Sequence, residues 1–166
     1  MKRLENKTAI ITGGMKGIGF AASEVFVEQG AQVMLVDIDE GQLRQAVQEL
    51  GQERAAYTVA LVTDGAAVEA CVQQNLARFG KIDVLFCNAG IGGEVSRIWE
   101  YSEAAFEQVM AVNVKGVWLC MKAVIPEMIR TGGGSILITS SIAGLLGSTK
   151  TFAYSASKHA VVGMMK

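Results

Sequence analysis

Histidine, cysteine and proline are scarce: the 166 residues include one His, three Cys and one Pro. Cys71, Cys87 and Cys120 are odd in number and lack metal-ligand spacing, so no metal centre is expected and the thiols read as reduced packing residues. Nothing in the sequence activates a cysteine against the lone His159, which excludes a Cys–His nucleophile and leaves His159 as a polar helix residue. An excess of charge of either sign is also missing. Lys and Arg total 15 against 16 Asp and Glu, for a net charge of −1, so neither a nucleic-acid nor a polybasic membrane surface is expected and the partners should be small molecules. No run of 18 apolar residues occurs, and the start (MKRLENK, then TAIIT) lacks the apolar stretch and cleavage site of a signal peptide. The expected location is cytoplasmic. Linkers, low-complexity tracts and repeats are absent too, and the length suits a single domain over residues 1–166.

What is present is an alternation of short apolar runs with helical patterns, punctuated by glycine. Strands are expected at Lys7–Thr12, Gln32–Asp37, Ala55–Val62, Ile82–Cys87 and Ser135–Ser140. Helices are expected at Ile18–Gln29, Asp39–Leu50, from an Asp64 cap to about Phe79, from Ser102 to about Arg130, and from Tyr154 to Lys166. Pro126 should kink the long helix or remove one of its bonds. Such βα alternation implies an α/β fold, a doubly wound parallel sheet with helices on both faces.

Two features carry the chemistry. The turn TGGMKGIG, Thr12–Gly19, lies between the first strand and its helix, where missing side chains let a pyrophosphate reach backbone N–H groups at the positive end of a helix dipole. Two registers compete: a turn starting at Gly13 and continuing through Gly17 and Gly19, or a G-x-G-x-x-A pattern over Gly17–Ala22. The second starts too late, leaving Gly13 and Gly14 without a reason. Tyr154 and Lys158 stand four apart, so on a helix they share a face. The ammonium favours phenolate, drawing a group with an ordinary pKa of about 10 towards the range useful for general acid/base work.

TGGMKGIG, Asn88-Ala89-Gly90, Asn113, Ser141 and YSASK occur in an order and spacing that resembles the short-chain dehydrogenase/reductase family across nearly the whole chain. The resemblance implies a Rossmann-like fold and an NAD(P)-dependent oxidoreductase acting on a secondary alcohol or its ketone. It places Asn113, Ser141, Tyr154 and Lys158 in catalysis: Ser141 on the substrate oxygen, Tyr154 exchanging its proton, Lys158 biasing Tyr154 and binding the nicotinamide ribose, and Asn113 holding a relay water. The competing reading of Asn113 is a helix kink or cap residue. The cofactor positions it implies are Gly13, Lys16, Gly17, Ile18, Gly19, Asp37, Val62, Asn88, Ala89 and Gly90, together with Tyr154 and Lys158.

Asp37, ending the second strand, can accept both adenosine ribose hydroxyls and repel a 2′-phosphate, which favours NAD. Lys16 argues the other way, since NADP-preferring members often carry a basic residue there; the like-charge exclusion by Asp37 is the more direct effect. The family often has Asn where Cys87 stands and Asp where Leu61 stands, and Asp64 reads as a cap rather than as a substitute adenine contact. Ile91–Trp99 and Leu145–Phe152 suggest an apolar alcohol, although Leu145, Leu146 and Phe152 serve equally as packing residues.

Family members run on beyond Lys166 with another strand, a substrate lid and a subunit-pairing helix. The chain is therefore expected to be a fragment of a longer, homo-oligomeric reductase. Two functions stay open, an alcohol/ketone oxidoreductase and a noncatalytic NAD-binding remnant.

Overall fold

A computed structural model describes residues 2–166. Five strands, β1 (Thr8–Thr12), β2 (Gln32–Asp37), β3 (Ala55–Val59), β4 (Val84–Cys87) and β5 (Ser135–Ile138), make one sheet in the order β3-β2-β1-β4-β5, every pairing parallel. Helices α1 (Gly17–Glu28), α2 (Glu40–Leu50) and α3 (Gly65–Phe79) connect the first four strands. Between β4 and β5 lies one long helical rod, composed of α4 (Glu103–Met110), a π-helical segment Ala111–Lys115 and α5 (Gly116–Arg130); α6 (Phe152–Met164) follows β5. The architecture is the doubly wound, Rossmann-like sheet that the alternation implied.

Side-chain alternation in the strands builds two cores. Ala9, Ile11, Val33 and Leu35 pack with Leu43, Ala46, Val47 and Leu50 of α2 on one face of the sheet. Ile10, Met34, Val36 and Leu85 pack with α3, α5 and Val161 of α6 on the other. All of β1 is buried, as a central parallel strand requires. Asp39, Asp64 and Ser102 cap α2, α3 and α4 with side-chain oxygens accepting N–H bonds at 2.9 to 3.2 Å. Gly80, left-handed at φ 81°, closes α3.

Four strands are shorter than the sequence suggests: β1 begins at Thr8 rather than Lys7, and β3, β4 and β5 are each trimmed at one end. β3 stops at Val59 because that residue pairs with Asp37, the last of β2. β4 begins at Val84, opposite Ala9 and Ser135. β5 stops at Ile138, opposite the final β4 residue Cys87. The last helix begins two residues earlier than expected, at Phe152, and the long helix runs through Pro126 to Arg130. The rod Glu103–Arg130 is long and apolar enough to pass a membrane-span test, with mean hydropathy 1.4 over 18 residues. Its Val117, Cys120, Val124 and Met128 lie in the sheet-facing core, as expected of a core helix.

After β3 the chain returns to place β4 beside β1. The strand order thus reverses between β1 and β4, and the crevice at their carboxyl ends is where open α/β sheets bind ligands.

Candidate active site

The glycine turn opens this crevice. The chain leaves β1 through Gly13 at φ 66° and enters α1 through Gly17 at φ 58°, both in the left-handed region. A Cβ at Gly13 would sit 2.9 to 3.0 Å from Asn88 and Ala89, and one at Gly19 would strike the Gly13 carbonyl oxygen, whereas Gly17 faces open space. The turn therefore begins at Gly13, the first of the two registers. Lys16, the N-cap of α1, makes no side-chain cap bond, so no side chain of its own covers the amides of the first turn.

A groove of about 500 Å³ runs from this turn across the sheet edge, lined by Gly13, Lys16, Asp37, Ile38, Leu61, Val62 and Asn88 to Ile91. The Asp37 carboxylate is fixed at its mouth by accepting from the N–H groups of Ile38 at 2.9 Å and Met15 at 3.3 Å. Ile38 and Leu61 are 61% and 57% exposed there, an apolar wall to the groove. Ile18 is exposed on the first turn of α1, while Val62 is packed close against Gly116. Lys16 is exposed and forms no ion pair among the described residues.

Asn88-Ala89-Gly90 is bound from both sides. The Thr12 hydroxyl accepts from the N–H groups of Asn88 at 3.0 Å and Ala89 at 3.1 Å. The Asn88 amide donates to the Gly13 carbonyl at 3.2 Å, and its oxygen accepts from the Thr139 hydroxyl at 3.0 Å. Neither threonine was singled out from the sequence as a site residue. Thr12 opens the glycine motif, a usable signal; Thr139 stands in an ordinary strand-end Thr-Ser-Ser.

Asn113 lies in the π-helical segment, a single wide turn that rotates its side chain into the interior, where it is 1% exposed. Its oxygen accepts from the Ile91 N–H at 2.8 Å, and its nitrogen donates to the Ile91 carbonyl at 2.9 Å and the Ser157 hydroxyl at 3.0 Å. Ser157 in turn donates to the Tyr154 carbonyl at 2.7 Å. Asn113 thus fastens the loop after Gly90 to α6, with both of its N–H donors used and its oxygen accepting one bond.

Tyr154 and Lys158 share a face of α6, the lysine nitrogen 5.5 Å from the Tyr154 ring centre. Lys158 is 5% exposed and donates to the Thr139 carbonyl at 2.7 Å. Burial holds its pKa below the usual lysine value. Ser141 caps the one-turn 3₁₀ helix Ile142–Gly144, accepting from the Ala143 N–H at 3.2 Å. That turn presses on α6: a Cβ at Gly144 would come within 2.8 Å of the Lys158 carbonyl oxygen, to which Ser140 also donates at 3.3 Å. Phe152, at the start of α6, meets Tyr101 edge-on at 4.9 Å and stacks on Phe106 at 5.8 Å, tying α6 to the loop and helix after β4. Gly13, Lys16 and Asp37 therefore line the crevice, while Lys158 and Asn113 approach it beside Gly90, where a Cβ would lie 3.6 Å from the lysine nitrogen and 3.2 Å from the Asn113 oxygen; Tyr154 stands beside that lysine, and the Ser141 turn packs on α6.

The remaining candidates stand apart. All three cysteines are buried and free; burial pushes Cys71 up to about 12, and Cys87 is raised by its thiol contact with Cys120 and by burial. His159 is exposed, its Nδ1 2.9 Å from the Ser155 carbonyl.

The family model described as short chain dehydrogenase matches residues 7–166. The chain belongs to the short-chain dehydrogenase family. This member of the family is 37% identical over 166 residues to secoisolariciresinol dehydrogenase of Forsythia intermedia, covering 99% of the chain and 60% of that protein. It is 36% identical over 165 residues to the NAD(+) enzyme 2-dehydro-3-deoxy-L-rhamnonate dehydrogenase of Sphingomonas sp. (strain SKA58), covering 99% of the chain and 65% of the relative. Among solved structures, NAD+-bound xylitol dehydrogenase superimposes with a TM-score of 0.94 at 32% identity, covering 98% of this short-chain dehydrogenase and 64% of that one. The chain spans about three-fifths of the length of the curated relatives it matches.

Proposed function

We propose that this chain is the cofactor-binding and catalytic part of an NAD-dependent oxidoreductase that interconverts a secondary alcohol and its ketone. The observation that carries the reading is a buried lysine beside a tyrosine, its nitrogen next to Gly90 of a groove whose far end is a glycine turn with no room for a side chain at Gly13 or Gly19. The residues present fit a dinucleotide. The Gly13–Gly19 turn and the side-chain-free N-terminus of α1 suit a pyrophosphate, with Lys16 and Ile18 beside it. Asp37 suits the adenosine ribose, Ile38, Leu61 and Val62 an adenine face, and Asn88, Ala89 and Gly90 the floor below the nicotinamide. When bound, NAD supplies the hydride acceptor, and NADH the donor.

The chain's own part is proton handling and alignment. Tyr154 gives its hydroxyl proton to the carbonyl oxygen in reduction and takes it back in oxidation. Lys158, kept close to that phenol, favours the phenolate after transfer and offers a donor to the nicotinamide ribose. The Ser141 hydroxyl donates to the substrate oxygen. Asn113 holds the Ile91 backbone against α6, and a relay water held by Asn113 is part of the same reading.

NAD is preferred over NADP because Asp37 is pinned where a 2′-phosphate would meet it, whereas Lys16 is free to swing into solvent. The exposed Leu145 and Leu146 beside the Ser141 turn favour an apolar substrate. A reducing, cytoplasmic setting suits three buried free thiols. Homo-oligomerisation is expected of the full-length protein.

A second reading is dinucleotide binding without turnover, for which the glycine turn and the groove alone suffice. The test is an NADH fluorescence titration followed by an alcohol and ketone panel read at the nicotinamide absorbance band. Binding with turnover supports the oxidoreductase, binding without turnover the second reading, and no binding defeats both.

A further inference from the structure

We propose that Thr139 is a positioning residue that couples the glycine turn to Lys158. The inference rests on the cofactor reading given above and adds a residue to it. Thr139 lies one position past β5, its N–H continuing the ladder to the Cys87 carbonyl at 3.0 Å. It is joined to two parts of the site at once. Its hydroxyl donates at 3.0 Å to the Asn88 oxygen, whose amide nitrogen donates at 3.2 Å to the Gly13 carbonyl. Its own carbonyl accepts at 2.7 Å from the Lys158 ammonium.

That last bond is the one protein hydrogen bond of the lysine nitrogen among the described residues, and burial makes its placement matter. No carboxylate pairs with Lys158; Tyr154 is the titratable group beside it. Each polar atom of the Asn88 side chain has one partner, so losing the Thr139 hydroxyl leaves the Asn88 oxygen without one and loosens the end of β5. The carbonyl that anchors Lys158 shifts with it. The carbonyl of Gly13, at the other end, is the atom against which Gly19 closes the turn. A continuous hydrogen-bonded path thus links the proposed phosphate end and the proposed ribose end of the groove through one hydroxyl.

The test is isothermal titration of NADH into the wild-type protein, Thr139→Val, Thr139→Ser, Lys158→Met and the double variant Thr139→Val/Lys158→Met. Thr139→Val keeps the shape and removes the donor, and should weaken NADH about tenfold, the order of one lost bond to a part-buried amide. Thr139→Ser restores the donor and should return to within about twofold of wild type. If Thr139 acts through Lys158, the Thr139→Val penalty should fall to less than half in the Lys158→Met background. Equal affinity of wild type and Thr139→Val, failure of Ser to rescue, or additive effects in the double variant each overturn the proposal. Wild-type protein that binds no NADH removes the cofactor reading and this inference with it; normal wild-type binding with an unaffected Thr139→Val removes this inference alone.

Discussion

At the residue scale the site depends on side chains held by backbone groups rather than by each other. Asp37 is an example: two N–H groups fix its carboxylate before any ligand arrives, and under the proposed function that carboxylate is what discriminates between the cofactors. Asp37→Ala should lower the ratio of NADPH to NADH dissociation constants by about fivefold or more, since a like-charge contact costs about 1 kcal/mol or more in a partly solvated site. A fluorescence titration with both cofactors measures it; an unchanged ratio contradicts the assignment. Away from the groove, Asp83 ties the start of β1 to the β4 approach, accepting from the Thr8 N–H at 2.9 Å and from Lys7 and Lys81 at 3.0 Å. Burial raises its pKa, but the bonds to Lys81, Thr8 and Lys7 together outweigh it and the net value lies below the usual 3.8. A carboxylate depressed in the folded state stabilises fully above its unfolded pKa and loses that contribution as pH falls through the folded value. Asp83→Asn should therefore cost about 1 kcal/mol at pH 7 in urea unfolding and nothing once the pH is well below 3.8.

At the element scale, the Gly turn and the π-helical segment show what was and was not legible in the sequence. The turn could be read, down to its register, because glycine is the residue that tolerates φ near 60° and close backbone approach. Its glycines are needed for different reasons. Gly17→Ala introduces about 1 kcal/mol of backbone strain into open space and should weaken NADH modestly, whereas Gly19→Ala drives a methyl into the Gly13 carbonyl and should abolish binding. Equal effects of the two would contradict the geometry. The π-helical segment had no such signature: Ala111–Lys115 is an unremarkable helical string, and the extra residue in the turn is accommodated by the bonds of Asn113 to Ile91 and Ser157, 22 and 44 positions distant. Asn113→Leu fills the same space without those bonds. It should cost about 1–3 kcal/mol and speed hydrogen exchange at the Ile91 amide, which would lose its acceptor. The strand ends were over-read for a related reason: Ala60–Val62 is apolar enough for a strand, but β2 ends at Asp37 and leaves it nothing to pair with.

At the scale of the whole molecule, the sheet order brings residues from four distant stretches, around 13, 37, 61 and 88, to one crevice where β1 and β4 diverge, with Lys158 beside Gly90. Alternation of short strands and helices was enough to foresee the layers. Thr12, Thr139 and Ser157, which hold that edge together, were not visible because a hydroxyl at a strand end or in a helix has many ordinary uses, and only the fold aims these at the Asn88 and Ala89 N–H groups, the Asn88 side-chain oxygen and the Asn113 amide. The central claim is that the Tyr154 hydroxyl carries the proton in an NAD-linked alcohol/ketone reaction. The most direct measurement is turnover of Tyr154→Phe in the full-length protein, with NADH affinity measured on the same sample. The expected result is affinity within a few-fold of wild type and turnover reduced by about 10²–10⁴; turnover at the wild-type level with NADH bound would contradict the account.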